Sequence, residues 1–141
     1  MLSFAAKSHP GRVRATNEDA LIADDGLALF AVADGLGGHQ GGEVASRITI
    51  DTITEFVTSS RHDSTITWPY GFDPDISFEG NQLQNAVLLA NRQIRRRAER
   101  EPEHAGMGST VIAVMVGEGR ASFVAVGDSR LYRWRHDTLT Q

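Results

Sequence analysis

The chain has 141 residues, enough for about one domain, and its 40% hydrophobic and 23% charged content is that of a soluble globular protein. Its net charge of −4, from 14 basic and 18 acidic residues, argues against general nucleic-acid binding, which favours a basic surface. No cysteine is present, so disulfides and thiolate zinc sites are excluded, as suits a reducing compartment.

The apolar start of the chain stops at Lys7, too early for a secretory signal. The longest apolar runs, 28–33 and 111–116, are far too short to span a bilayer. A soluble, cytoplasmic protein without membrane association is expected.

In chain order, residues 2–8 and 20–23 read as strands, separated by the polar turn His9-Pro10-Gly11-Arg12. Asp24-Asp25-Gly26 is a hairpin signal that joins 20–23 to a strand over 28–33. The pairing brings Glu18 and Asp19 near the end of the strand that finishes at Asp34. That strand runs into Asp34-Gly35-Leu36-Gly37-Gly38-His39-Gln40-Gly41-Gly42, a turn with five glycines. A carboxylate at the end of a buried strand needs a partner. Glycine lets backbone carbonyls approach a cation, so Asp34 is a candidate metal ligand.

Residues 43–59 read as a helix with Val44, Ile48, Ile53 and Phe56 near one face. Residues 61–80 form a loop rich in aromatic residues, expected to pack the loop onto the body. A second helix is predicted over 82–100, with Asn81 and Gln84 resembling a capping box. Arg92, Arg95, Arg96, Arg97 and Arg100 crowd its C-terminal half and read as a solvated face that complements the helix dipole. Strands follow at 110–116, 121–126 and 131–135, the first apolar enough to be covered on both faces. Strands, two helices, then strands make an α+β fold with antiparallel pairing and both helices over one sheet face.

Four acidic residues fall at strand ends or turns: Glu18, Asp19, Asp34 and Asp128. Oxygen-only ligands suit Mg²⁺ or Mn²⁺. The histidines lack zinc spacing. Arg14 could hold a bidentate anion such as phosphate. Together these groups suggest metal-assisted hydrolysis of a phosphate ester. Other motifs fail on the letters. A dinucleotide fingerprint would need glycine at Gln40, no Gly-Lys-Ser/Thr closes a P-loop, and Leu131 replaces the closing glycine of a nucleophile elbow.

Arg14-Ala15-Thr16-Asn17-Glu18-Asp19, Val32-Ala33-Asp34-Gly35-Leu36-Gly37-Gly38-His39, Gly108-Ser109-Thr110 and Val126-Gly127-Asp128-Ser129-Arg130 occur in that order. In these motifs the chain resembles the N-terminal part of the PPM family, the metal-dependent serine/threonine protein phosphatases of type 2C, in its bacterial form. The resemblance implies an antiparallel β-sandwich flanked by helix pairs in α-β-β-α layers. It implies that Asp34 bridges two Mg²⁺ or Mn²⁺ ions, with the Gly35 carbonyl as a further ligand. Glu18 would serve one ion directly or through water, Asp19 would orient a metal-bound water, and Asp128 would bind a third, weaker ion. Arg14 would grip the substrate phosphate, and a metal-activated water would attack phosphorus in line.

Two departures from the family pattern matter. Leu36 stands where animal-type members place a histidine, and His39, three residues later, is expected to shape the turn rather than supply a proton. The chain also stops at Gln141, before the family's later aspartates and mobile flap. Residues 1–141 are therefore expected to be an incomplete phosphatase domain, inactive alone and prone to associate through uncovered sheet surface. The implied partners are phosphorylated proteins, in opposition to a serine/threonine kinase. The alternative is a non-catalytic regulatory or interaction module on the same fold.

Overall fold

The structure, a computed structural model, describes residues 2–13, 15–38, 40–62 and 65–141. Arg14 and His39 lie outside the described residues. Strands β1 (Asp19–Asp24) and β2 (Leu29–Leu36) form the expected hairpin. Its turn is closed by Asp24, whose Oδ1 accepts from the Leu27 N–H at 2.8 Å. Helices α1 (Gly41–His62) and α2 (Phe78–Arg100) follow, then β3 (Gly108–Ser109), β4 (Val111–Gly117) and β5 (Arg120–Val126). The main antiparallel sheet has the order β1-β2-β4-β5, with β3 pairing the far end of β2. Strands β6 (Arg133–Arg135) and β7 (Thr138–Thr140) make a separate ribbon.

Alternation along β2 sets the layers. Leu29, Ala31, Ala33 and Gly35 face inward, and Val32, Asp34 and Leu36 are exposed. The inward set joins Ala113 and Met115 of β4 in one core with Ile53, Phe56 and Val57 of α1 and Leu83 and Ala86 of α2. Both helices thus cover the same sheet face, and burial of these side chains is the main force that holds them there. Of the predicted α1 face, Ile53 and Phe56 are buried, while Val44 and Ile48 are half-buried against Ala45, Ile94 and Met107.

The opposite face is open. Val32 is 50% exposed and Phe123 64%. The β6–β7 ribbon lies on this side, where Arg133 and Thr140 share a cleft of about 420 Å³ with Ile112, Phe123 and Ala125. The order is therefore helix pair, sheet, ribbon.

Four expectations need correction. Residues 2–8 form no strand; they cross the open face by side-chain contact, with the Phe4 ring 5.2 Å from Phe30. Strand β2 continues past Asp34 to Leu36, because Gly35 and Leu36 pair with Ser109 and Gly108. The last strand starts at Arg133, and residues 138–140 turn back to pair with it. The cap of α2 is Ser77, whose Oγ accepts from the Gly80 N–H at 2.9 Å.

Asn81 lies one turn inside α2 and is buried. Its amide holds the preceding loop instead, accepting from the Asp73 N–H at 2.7 Å and donating to the Asp73 carbonyl at 2.8 Å. Asn85, one turn on, does the same for Tyr70 and Gly71. The aromatic residues pack as expected: Trp68 lies 5.1 to 6.0 Å from the rings of Phe56, Phe72 and Phe78.

Candidate active site

The candidate residues converge where β2 ends, and glycine is what permits the approach. The first turn of α1 lies directly on Gly35. A Cβ at Gly35 would overlap the Gly42 carbonyl, and one at Gly42 would stand 2.7 Å from Glu18 Oε1. The Glu18 carboxylate therefore rests against the start of α1, and the Glu18 carbonyl accepts from the Gly35 N–H at 3.1 Å. The turn between is tight. Gly37 adopts φ 148° and Gln40 φ 67°, and the Gly41 N–H donates to the Gly38 carbonyl at 2.9 Å. Buried Met107 supports the turn from below, so that a Cβ at Gly37 or Gly41 would meet it at 3.1 Å.

Asp19 and Asp34 are directly opposed in the β1–β2 register, and both are exposed. Two carboxylates facing each other across a strand pair repel, and a cation between them offsets that cost. They border a cleft of about 200 Å³ with Lys7, Ser8 and Ser129. Asp19 is fixed from its own side: its N–H donates to Asn17 Oδ1 at 3.1 Å, and Asn17 Nδ2 donates to Ser8 Oγ at 2.7 Å. Because Asp34 is solvent-facing, burial does not itself force a partner on it; the opposed carboxylate supplies that pressure.

Thr110 brings in the later turn. It interrupts the pairing between β3 and β4, and its Oγ1 accepts from the Asp34 N–H at 3.1 Å. The same Oγ1 lies 2.8 Å from Ser129 Oγ. Gly127, at φ 96°, fits against Thr110 so closely that a Cβ there would stand 2.7 Å from Thr110 Cγ2. The turn carrying Asp128 is thus fastened beside the end of β2, with Asp128 itself exposed.

The structure brings Asp19, Asp34, Gly35 and Glu18 together and sets the Asp128 turn next to them. Among the described residues, no three carboxylate or imidazole side chains converge closely enough to hold one ion. The donors are hard oxygens, as Mg²⁺ and Mn²⁺ require, but they cover only part of a six-oxygen shell. Ser8, Asn17, Thr110 and Ser129 were not predicted as site residues. Asn17, Thr110 and Ser129 sit inside recognised motifs, which was a usable signal; Ser8 carries none.

The sequence profile described as Protein phosphatase 2C matches residues 8–141. The serine/threonine protein phosphatase PstP of Mycobacterium tuberculosis is 36% identical over 141 residues, which is all of this chain and 24% of that protein. The serine/threonine phosphatase stp of Listeria monocytogenes is 30% identical over 138 residues, 93% of this chain and 49% of that protein. The crystal structure of the PstP catalytic domain in complex with two manganese ions matches with a TM-score of 0.77 and 38% identity. The match covers 97% of this chain and 53% of that one. PppA of Pseudomonas aeruginosa matches with a TM-score of 0.72 and 32% identity, over 96% of this chain and 53% of that one. The chain spans about a quarter to a half of the length of these relatives.

Proposed function

Because the chain belongs to the protein phosphatase 2C family, we propose that it contributes the Asp34 half of a metal-dependent active site that hydrolyses phosphoserine and phosphothreonine in proteins. The observation that carries this reading is the direct opposition of Asp19 and Asp34, with Glu18 and Gly35 bonded beside them. Asp34, the Gly35 carbonyl and Glu18 would hold Mg²⁺ or Mn²⁺, as the relative crystallised with two manganese ions suggests by analogy. The ions, when bound, would lower the pKa of a water molecule and neutralise charge on the phosphoryl oxygens.

The chain's own residues have separate tasks. Asp19, held by Asn17, would accept a hydrogen bond from the attacking water and aim it. Arg14 would engage the phosphate in a bidentate grip. Asp128 would bind a third ion more weakly, since it stands exposed on its turn. Opposition to a serine/threonine kinase is the matching cellular role.

With these donors filling only part of a coordination shell, the 141-residue chain should show little or no turnover. The test is phosphate release from a phosphothreonine peptide with and without Mn²⁺. Slow release that requires Mn²⁺ supports the proposal; release that persists in excess chelator contradicts it. Robust Mn²⁺-dependent turnover would instead contradict the incomplete ligand set.

A further inference from the structure

A groove of about 430 Å³ opens beside the end of β2, between the C-terminal half of α2 and the β3 segment. Its walls are apolar: Leu36, Ile94, Met107 and Val126 line it. Leu36 and Val126 are both about half exposed. Among the described residues, Arg95 is the sole ionisable one in its lining, and no ion pair engages it. Arg92, Arg96 and Arg100 are exposed on the same stretch of helix, against Glu99. Arg97 is already paired, with its Nε 2.6 Å from Glu101. Of these arginines only Arg95 lines the slot, and Arg92 lies over the Tyr70 ring at 5.9 Å, so Arg95 is the cationic group that the slot presents.

The slot joins the carboxylate cleft. Leu36 is two residues past Asp34 on β2, about 7 Å along an extended strand. Ser109, in the groove wall, donates from Oγ to the Asp34 carbonyl at 3.3 Å. Strand β3 pairs only with β2 among the described strands.

From this geometry we infer that the groove is a docking site for the substrate segment next to the phosphorylated residue, and that it selects an apolar side chain beside an acidic one. The apolar side chain fills the slot over Leu36 and Val126. The acidic neighbour meets Arg95. A segment held there lies beside the end of β2 that carries Asp34. The inference rests on the phosphatase reading for the phosphate itself, but the preference for flanking residues belongs to the groove alone.

The test is peptide binding to the 141-residue chain by fluorescence anisotropy. One phosphothreonine peptide carries a Leu flanked by Glu, a second replaces the Glu with Lys, and each has an unphosphorylated twin. The Glu peptide is expected to bind about fivefold more tightly than the Lys peptide, from one exposed charge pair. The ratio should persist in the unphosphorylated twins and in chelator. Arg95→Glu should abolish it, whereas Arg120→Glu, the same charge change at the far hairpin of the sheet, should preserve it.

Equal loss with both variants would mean a bulk charge effect and would overturn the inference. So would an unchanged ratio in Arg95→Glu, or self-association of the chain that the peptides cannot compete away, which would give the groove to a second copy. Failure of the phosphatase reading is distinct: it appears as Mn²⁺-independent phosphate chemistry with the flanking preference intact.

Discussion

Asp34 and Thr110 hold each other through reciprocal contacts. The Asp34 N–H donates to Thr110 Oγ1 at 3.1 Å, and the Thr110 N–H donates to the Asp34 carbonyl at 2.8 Å. One hydroxyl thereby stands in for a strand's missing carbonyl at the point where β2 passes from β4 to β3. It also ties Ser129 to the same spot.

Thr110→Val keeps the shape and removes that hydroxyl. The part-buried Asp34 N–H loses its acceptor, which should cost about 0.5–1.5 kcal/mol. Thr110→Ser should recover most of it. Chemical denaturation of the three proteins measures this, and equal midpoints for wild type and Thr110→Val would remove Thr110 from its proposed place.

Gly35→Ala should be far more damaging. The added methyl overlaps the Gly42 carbonyl, so either β2 or the start of α1 must move. Overpacking against backbone costs about 1–3 kcal/mol or more. Gly38→Ala, where a Cβ meets nothing within 4 Å, is the matched control and should be nearly neutral. Thermal melts of the two variants should separate clearly.

Asn81→Ala and Asn85→Ala release the loop that precedes α2 without touching the sheet. Each removes hydrogen bonds to loop backbone between Tyr70 and Asp73. Limited proteolysis should cut residues 65–77 sooner in either variant, while the sheet amides keep their protection from exchange. Unchanged cleavage would show that the Trp68 aromatic cluster alone secures the loop.

Glu101 gives a pH prediction. A hydrogen bond from Arg97 holds its carboxyl below the ordinary value of 4.5; slight desolvation opposes this and His104 adds to it. A lowered folded-state pKa stabilises the protein above the unfolded value, and that contribution disappears as pH falls through the folded value. Glu101→Gln should therefore be less stable than wild type at neutral pH, with the difference closing below the ordinary carboxylate range. Denaturant midpoints across that range measure it; a gap that widens in acid would reverse the sign.

Much of this arrangement was legible in the sequence, for reasons tied to particular residues. Asp24-Asp25-Gly26 dictated a hairpin, and the register that follows places Asp19 opposite Asp34. Helical spacing placed Ile53 and Phe56 on the buried face of α1. What could not be read depended on contacts distant in the chain. Residues 2–8 read as a strand but pair with no strand among the described residues. Asn81 looks like a cap until Ser77 takes that task and the loop claims its amide. The Gly35–Gly42 contact and the Thr110–Ser129 bond exist only once the helix and the later turn are in place. The glycine run announced close approach without saying to what.

The central claim is that the end of β2 binds a divalent cation through Asp34. Calorimetric titration of the chain with Mn²⁺ tests it without relying on turnover. The account predicts weak, saturable binding that disappears in Asp34→Asn and persists in Arg95→Glu. No binding by the wild-type chain at millimolar Mn²⁺, or binding undiminished in Asp34→Asn, would contradict it.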